Sequence, residues 1–179
     1  VARCFLFKPD GIGDFFLSSG VIRRLAREFG EENLTIAALP VMEPVARGQF
    51  PRAVFVPLPI RKKRVILNVF AANCLRCFGV WTHLLRFRPE YSISLRHMRD
   101  YLMNVLFYSV RSPRRLVAEN QLLGNGRAVR RWTESAFTGL FRPEIVPYPV
   151  ICEGVPRELE ANRRLVEQAL GRDVSIAEI

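Results

Sequence analysis

Histidine and lysine are scarce in this chain: two histidines and three lysines stand against 24 arginines in 179 residues. Cysteine is sparse too. Of Cys4, Cys74, Cys77 and Cys152, only Cys74 and Cys77 form a C-x-x-C; no second pair lies at zinc spacing, and His83 and His97 fit no metal pattern with them. No metal and no cofactor are therefore expected. A chain this long, with 49% hydrophobic residues, can build a core without disulfide staples, so its thiols are expected to be buried in a reducing compartment. The C-x-x-C lies in mid-helix within an apolar run and reads as packing rather than as a reactive pair. The opening V-A-R-C-F-L-F-K-P-D is too short an apolar run for the central region of a signal peptide. It has no initiator methionine, so the natural start is expected to be processed or to lie upstream. There is no G-K-[ST] phosphate loop, no internal repeat and no low-complexity tract.

What is present is one ordinary domain, or one domain and a piece of the next. The net charge of +10 is unevenly spread: residues 1–60 carry +1, residues 61–120 carry +9 and residues 121–179 carry none. A localised positive field predicts an anionic partner, whether nucleic acid, a phosphorylated sugar or a membrane surface. Within the basic segment, Arg61-Lys62-Lys63-Arg64 precedes Val65–Leu85, which is nearly apolar over 21 residues. Arg76, Asn68, Asn73 and His83 lie inside that stretch, and an arginine at mid-bilayer is costly, so a spanning helix is not expected. Two readings stand: a hydrophobic helix covering a sheet, or a helix lying at an anionic bilayer surface beside its polybasic cluster.

Along the chain, short apolar runs alternate with helical periodicity. Arg3–Phe7, Leu34–Leu39, Ala53–Val56, Tyr91–Leu95 and Arg114–Val117 read as buried strands. From Asp14, Leu17, Val21, Ile22, Leu25 and Phe29 recur at helical spacing up to Gly30. Further helices are predicted around Met42–Arg47, through the apolar stretch to about Phe87, and over Asp100–Ser109. Residues 119–138 are polar and arginine-rich and predict a loop with a short helix. Pro143, Pro147, Pro149 and Pro156 argue against a central strand over 141–156, although 148–151 has an extended character. Arg157–Gly171 then forms a helix with proline at its entrance and glycine at its exit. Strands without strict polar alternation, interleaved with helices, imply an α/β fold with a mainly parallel, doubly wound sheet.

Between the first strand and the first helix stands Phe7-Lys8-Pro9-Asp10-Gly11-Ile12-Gly13-Asp14. Ligands of open α/β sheets bind above such strand ends, and free amides at a helix start attract negative groups. Gly11 and Gly13 allow close approach of a ligand and positive-φ conformations. The spacing is G-x-G-D, without the third glycine of a dinucleotide fingerprint. Asp14, in the first turn, either offsets the helix dipole or takes a proton from a substrate hydroxyl as that oxygen attacks carbon. The dipole favours the ionised carboxylate, so the proton would move late. Asp10 either shapes the turn or binds a ligand.

The residues Phe5–Leu17, with the Val21-Ile22-Arg23-Arg24-Leu25 helix and the Leu34-Thr35-Ile36 strand, resemble the glycosyltransferase family of the lipopolysaccharide heptosyltransferases. That family opens on an apolar strand, a basic residue and a Gly-Asp leading into a helix. Pro89–Arg96 resembles its Tyr-Asp-Leu strand leading to arginines, with Tyr91-Ser92 in place of Tyr-Asp. Glu160–Gly171 is similar to the helix before the family's second domain. The usual proline after Leu17-Ser18-Ser19-Gly20 is missing. The resemblance implies a GT-B architecture of two facing Rossmann-like domains. Residues 1–150 would be the acceptor-binding domain, and residues 151–179 a connecting segment and helix leading to a nucleotide-sugar domain beyond the chain. It further implies an inverting transfer from a nucleotide-sugar such as ADP-heptose to an anionic lipopolysaccharide or related glycan, with Asp14 as base. The location it implies is the cytoplasm, or the inner face of the cytoplasmic membrane, and the isolated chain is expected to be inactive. Lys8, Asp10, Gly11, Gly13, Arg61, Lys62, Lys63, Arg64, Arg96 and Arg99 are then the candidates for substrate binding, since arginine forks suit carboxylates and phosphates. Arg96 and Arg99 stand out because they follow the fourth strand at its carboxyl end. The tetrad at 61–64 has lipid headgroups as a second candidate partner.

Two rival readings remain at this level. One is a basic nucleic-acid-binding or other anion-binding module, favoured by charge and by Phe78, Trp81, Phe87 and Tyr91. Those aromatics fall where helix or strand would bury most of them, and no helix-turn-helix, zinc or sheet-aromatic motif accompanies them. The other is an enzyme using a different nucleotide on the same fold. Trp81 and Trp132 read as structural, with Trp132 also a candidate for the rim of a cleft. His97 is a candidate for substrate contact, and Glu119, Asn120 and Gln121 follow the fifth strand at a ligand-facing end.

Overall fold

The computed structural model describes residues 2–60, 66–96, 101–119, 128–147, 157–175 and 177. Six parallel strands, β1 (Cys4–Lys8), β2 (Leu34–Ala38), β3 (Val54–Pro57), β4 (Tyr91–Ser94), β5 (Arg114–Ala118) and β6 (Glu144–Val146), form one sheet in the order β3-β2-β1-β4-β5-β6. β1 and β2 are buried along their whole length, which is why they read as unbroken apolar runs. Leu6 lies at the centre of the sheet, level with Ile36 on one neighbour and Ile93 on the other.

Alternation along β1 feeds two cores. Cys4 and Leu6 face a layer made by α1 (Ile12–Phe29), α2 (Glu43–Gln49) and α6 (Arg157–Leu170), through Ile22, Leu25, Ala46, Leu165 and Val166. Phe5 and Phe7 face the opposite layer, made by α3 (Ile66–Arg86), α4 (Tyr101–Ser109) and α5 (Ala128–Phe141). There the packing is aromatic: Phe7 meets Phe107 at 5.7 Å between ring centres, and Tyr108 stacks on Phe141 at 4.9 Å. α6 lies on α1, where the small buried residues Ser18 and Ser19 admit it closely and Asn162 Nδ2 reaches Ser18 Oγ at 3.3 Å. Both hydroxyls donate to carbonyls of α1, Ser18 to Asp14 and Ser19 to Phe16, and so are tolerated in the interior.

The structure corrects several sequence expectations. α1 begins at Ile12 rather than Asp14, and Leu17 is exposed: the buried stripe of its first turns runs through Phe15, Ser18 and Ser19 instead. α5 is a full helix of 14 residues where a loop with a short helix was expected, held by Phe137 and Phe141 against Tyr108. A sixth strand lies between Pro143 and Pro147. It is short and takes the sheet's edge, where flanking prolines remove no ladder bond. Phe78, expected to be buried, is exposed. Among the described residues no helix is long and apolar enough to cross a membrane.

Candidate functional site

In the order 3-2-1-4-5-6 the chain runs outward from β1 to β3, then returns to lay β4 on the other side of β1. The loops leaving β1 and β4 therefore diverge to opposite faces, opening a crevice above their carboxyl ends. The loop after β1 carries Pro9, Asp10 and Gly11; the chain after β4 carries Leu95 and Arg96. Leu95 N donates to Phe7 O at 3.0 Å, which extends the β1–β4 pairing to the crevice floor.

Three of the candidate residues meet here. Lys8, only 3% exposed, donates from Nζ to Leu95 O at 3.0 Å and pairs with Asp10 Oδ2, also at 3.0 Å. Arg96 donates from Nη1 to Pro9 O at 3.1 Å and to Asp10 Oδ1. Asp10 thus sits between two cations, one from its own loop and one brought by β4. A buried charge needs such partners, and here the partners also tie the glycine loop to the end of β4. Lys8, Asp10 and Arg96 hold the loop's shape through their contacts with one another.

Gly11 caps α1 without a side chain, and its carbonyl accepts the first helical bond from Phe15 N at 3.0 Å. Its φ is −73°, so the positive-φ expectation for this loop is not met; among the described residues Gly30 and Gly171 are the glycines with positive φ. Gly13 is exposed, and a Cβ built on it would meet nothing within 4 Å, leaving bare backbone open to approach. Asp14 is the acidic residue of the first turn of α1. Its Oδ2 lies 3.9 Å from where a Gly11 Cβ would be, so the carboxylate folds back over the cap. It is half-buried, and among the described residues it has neither a hydrogen-bond donor nor an ion-pair partner. The contrast with Asp10 is sharp: one carboxylate is fully engaged and its neighbour is available.

Ile12, Phe16 and Leu17, in the first turns of α1, are each about half exposed, and Val41, just beyond β2, is more so. Sequence reasoning missed Ile12, Phe16 and Val41. The signal was there in part, since Ile12 and Phe16 are apolar residues off the buried stripe of their helix.

Arg61, Lys62, Lys63, Arg64, Arg99 and His97 lie outside the described residues, as do Asn120, Gln121 and the side chains of Cys74 and Trp132. Glu119 is exposed, and its backbone N–H donates to Val146 O at 2.8 Å. Trp81 donates from Nε1 to Ser109 Oγ at 2.6 Å. Burial pushes the Cys4 thiol far up, which makes it inert. Hydrogen bonds from Arg163, chiefly, hold Glu160 down to about 2, and Arg114 likewise keeps Glu144 low. Both groups serve ion pairs remote from the crevice. No group of three metal-ligating side chains is found among the described residues.

No family model and no curated protein matches the sequence. Two solved structures match its fold. The E. coli heptosyltransferase WaaC with ADP superposes with a TM-score of 0.61 and 12% identity, over 96% of this chain and 48% of that one. The same enzyme with ADP-2-deoxy-2-fluoro heptose gives 0.59 and 12% identity, over 96% and 49%. The chain spans about half the length of the heptosyltransferase it matches, and at this identity what the two share is the fold: a parallel α/β sheet of the kind found in that enzyme.

Proposed function

We propose that this chain is the acceptor-binding half of an inverting glycosyltransferase of GT-B architecture, heptosyltransferase-like, and that Asp14 is its catalytic base. The single observation carrying the reading is the Asp14 carboxylate, without a partner among the described residues and set on an open glycine cap at the rim of the β1/β4 crevice. In the reaction, an acceptor hydroxyl oxygen attacks the anomeric carbon of a nucleotide-sugar from the side opposite the diphosphate. The new carbon–oxygen bond forms as the bond to the diphosphate oxygen breaks, and that oxygen leaves with the electron pair. Asp14 takes the hydroxyl proton late, when the oxygen has become acidic.

The donor, of the ADP-heptose type, would be held by a second domain facing this one, and the likeness to half of WaaC supports that arrangement. Ile12, Phe16, Leu17 and Val41 would then be covered by substrate or by the facing domain. The acceptor is an anionic glycan or glycolipid, in keeping with the +9 carried by residues 61–120. In the intact enzyme, Asp14→Asn should lower kcat by roughly 10²–10⁴-fold while the acceptor KM shifts by no more than about threefold. A rate near that of the wild type refutes the base assignment. The 179-residue chain alone should bind acceptor and transfer nothing.

A further inference from the structure

At the amino edge of the sheet, on the side away from the β1/β4 crevice, lies a cavity of about 450 Å³. It opens between the end of α1, the turn at 31–33 and the chain joining α2 to β3, and is lined by Arg23, Arg27, Gln49, Phe50 and Arg52. Its place follows from the parallel fold: α1 descends from the glycine loop, so its last turns and the end of α2 meet below the strands. Asp14 and Arg27 are 13 positions apart on α1, about 20 Å. Clefts of roughly 300–1,000 Å³ hold small molecules.

The polar groups around this cavity narrow the ligand. Arg23 and Arg27, one turn apart on the same face of α1, are exposed and have no carboxylate partner among the described residues. Other arginines of this helical layer do: Arg24 pairs with Glu28 at 3.5 Å, Arg172 with Glu28 at 2.6 Å, and Arg47 with Glu43 at 2.8 Å. Like charges one turn apart repel. Arg27, in the last turn, also offsets the helix dipole, but that role needs neither Arg23 nor a cavity beside it. Glu31 and Glu32 line the cavity too and are engaged by Arg52, whose backbone N–H donates to Glu31 Oε1 at 2.5 Å and whose Nη1 stands 3.9 Å from Glu32 Oε2. Gln49 Oε1 is buried and has no donor among the described residues. Two uncommitted guanidinium forks and one buried acceptor call for a ligand that is anionic at one end and carries a hydroxyl at the other. Two forks exceed the needs of a single carboxylate and match the three oxygens of a phosphate monoester. A long polyanion such as a nucleic acid would run onto Glu31 and Glu32.

We propose that this cavity binds a small phosphate monoester bearing a hydroxyl, its phosphate gripped by Arg23 and Arg27 and its hydroxyl donating to Gln49 Oε1. The site is separate from the chemistry at Asp14 and stands whatever reaction the crevice performs.

The test is isothermal titration of the full chain with ribose 5-phosphate, with inorganic phosphate and with ribose. Saturable, salt-sensitive binding of ribose 5-phosphate is expected, tighter than that of inorganic phosphate, with ribose inert. Arg23→Gln with Arg27→Gln, both exposed and so compatible with an unchanged melting curve, should weaken it by about tenfold or more. Gln49→Met, which keeps the side chain's length, should weaken ribose 5-phosphate about fivefold and leave inorganic phosphate within about twofold. A wild-type chain that binds none of these probes, or one whose binding survives the double arginine substitution, overturns the proposal. So does a Gln49→Met chain that binds ribose 5-phosphate as the wild type does, or a polyglutamate peptide that holds these arginines more tightly than the sugar phosphate. Asp14→Asn should bind ribose 5-phosphate like the wild type, so failure here leaves the Asp14 reading intact, and the converse also holds.

Discussion

Replacing Asp10 by alanine strands Lys8 in the interior of the sheet. Of its two partners, the carboxylate at 3.0 Å disappears and only the Leu95 carbonyl remains; Arg96 loses its bond to Asp10 but keeps Pro9 O. Removing one partner of a buried charge pair costs about 3–5 kcal/mol, mostly the penalty of the uncompensated charge. The Asp10 and Arg96 side chains remain 13% and 14% exposed, so water offsets part of this, and about 3 kcal/mol is the expected loss. Lys8→Met removes the cation, leaves Asp10 with Arg96, and should cost about 1–2 kcal/mol for the unmatched Leu95 carbonyl. In the double variant nothing is stranded at Lys8, so the effects should fall short of additivity by about 2 kcal/mol. Urea denaturation of the four proteins, with m unchanged, measures the cycle. Additive effects, with Asp10→Ala costing under about 1 kcal/mol, would refute the pairing.

Two further substitutions probe backbone and charge. Gly30, between α1 and β2, has φ +81° and a Cβ there would lie 2.8 Å from Glu32 Oε1, whereas Gly171, with φ +66°, faces open space. Gly30→Ala should lower stability by about 2 kcal/mol and Gly171→Ala by about 1 kcal/mol in thermal or urea unfolding; the reverse order would contradict the geometry. Glu160 sits at about 2 when folded, against an ordinary value of 4.5, so the unfolded chain binds the extra proton first as pH falls. Its contribution is present above about pH 4.5 and lost as pH falls toward 2: the stability gap between wild type and Glu160→Gln, on the order of 1 kcal/mol at pH 6 after solvent screening, should close across that window. A gap that persists at pH 2 would show that the ion pairs to Arg163 and Arg164 are not its source.

Five strands were legible as apolar runs because a parallel sheet covered on both faces buries consecutive residues. α6 was legible through its Pro156 and Gly171 punctuation. β6 was not, because a three-residue edge strand between prolines has no pattern to read. α5 was hidden by its polar first half; its anchor, the stacking of Phe137 and Phe141 on Tyr108, lies on another element. At the candidate site, the glycine turn, the first-turn position of Asp14 and a turn-shaping role for Asp10 were readable, while the pairing of Asp10 with Arg96 was not.

Local pattern alone determined that an apolar strand, a glycine turn and an amphipathic helix stand at the start of this protein, because burial on two faces and helical spacing are properties of neighbouring residues. Tertiary structure alone decided that β4 returns to the open flank of β1. That choice rests on the handedness of the crossovers and on two helical layers packing at once, neither of which is encoded in any one segment. It carried Arg96 across 86 positions to Asp10 and so engaged that carboxylate, while Asp14 has no partner among the described residues. It also left Phe78 of α3 exposed, where the sequence had been expected to bury it.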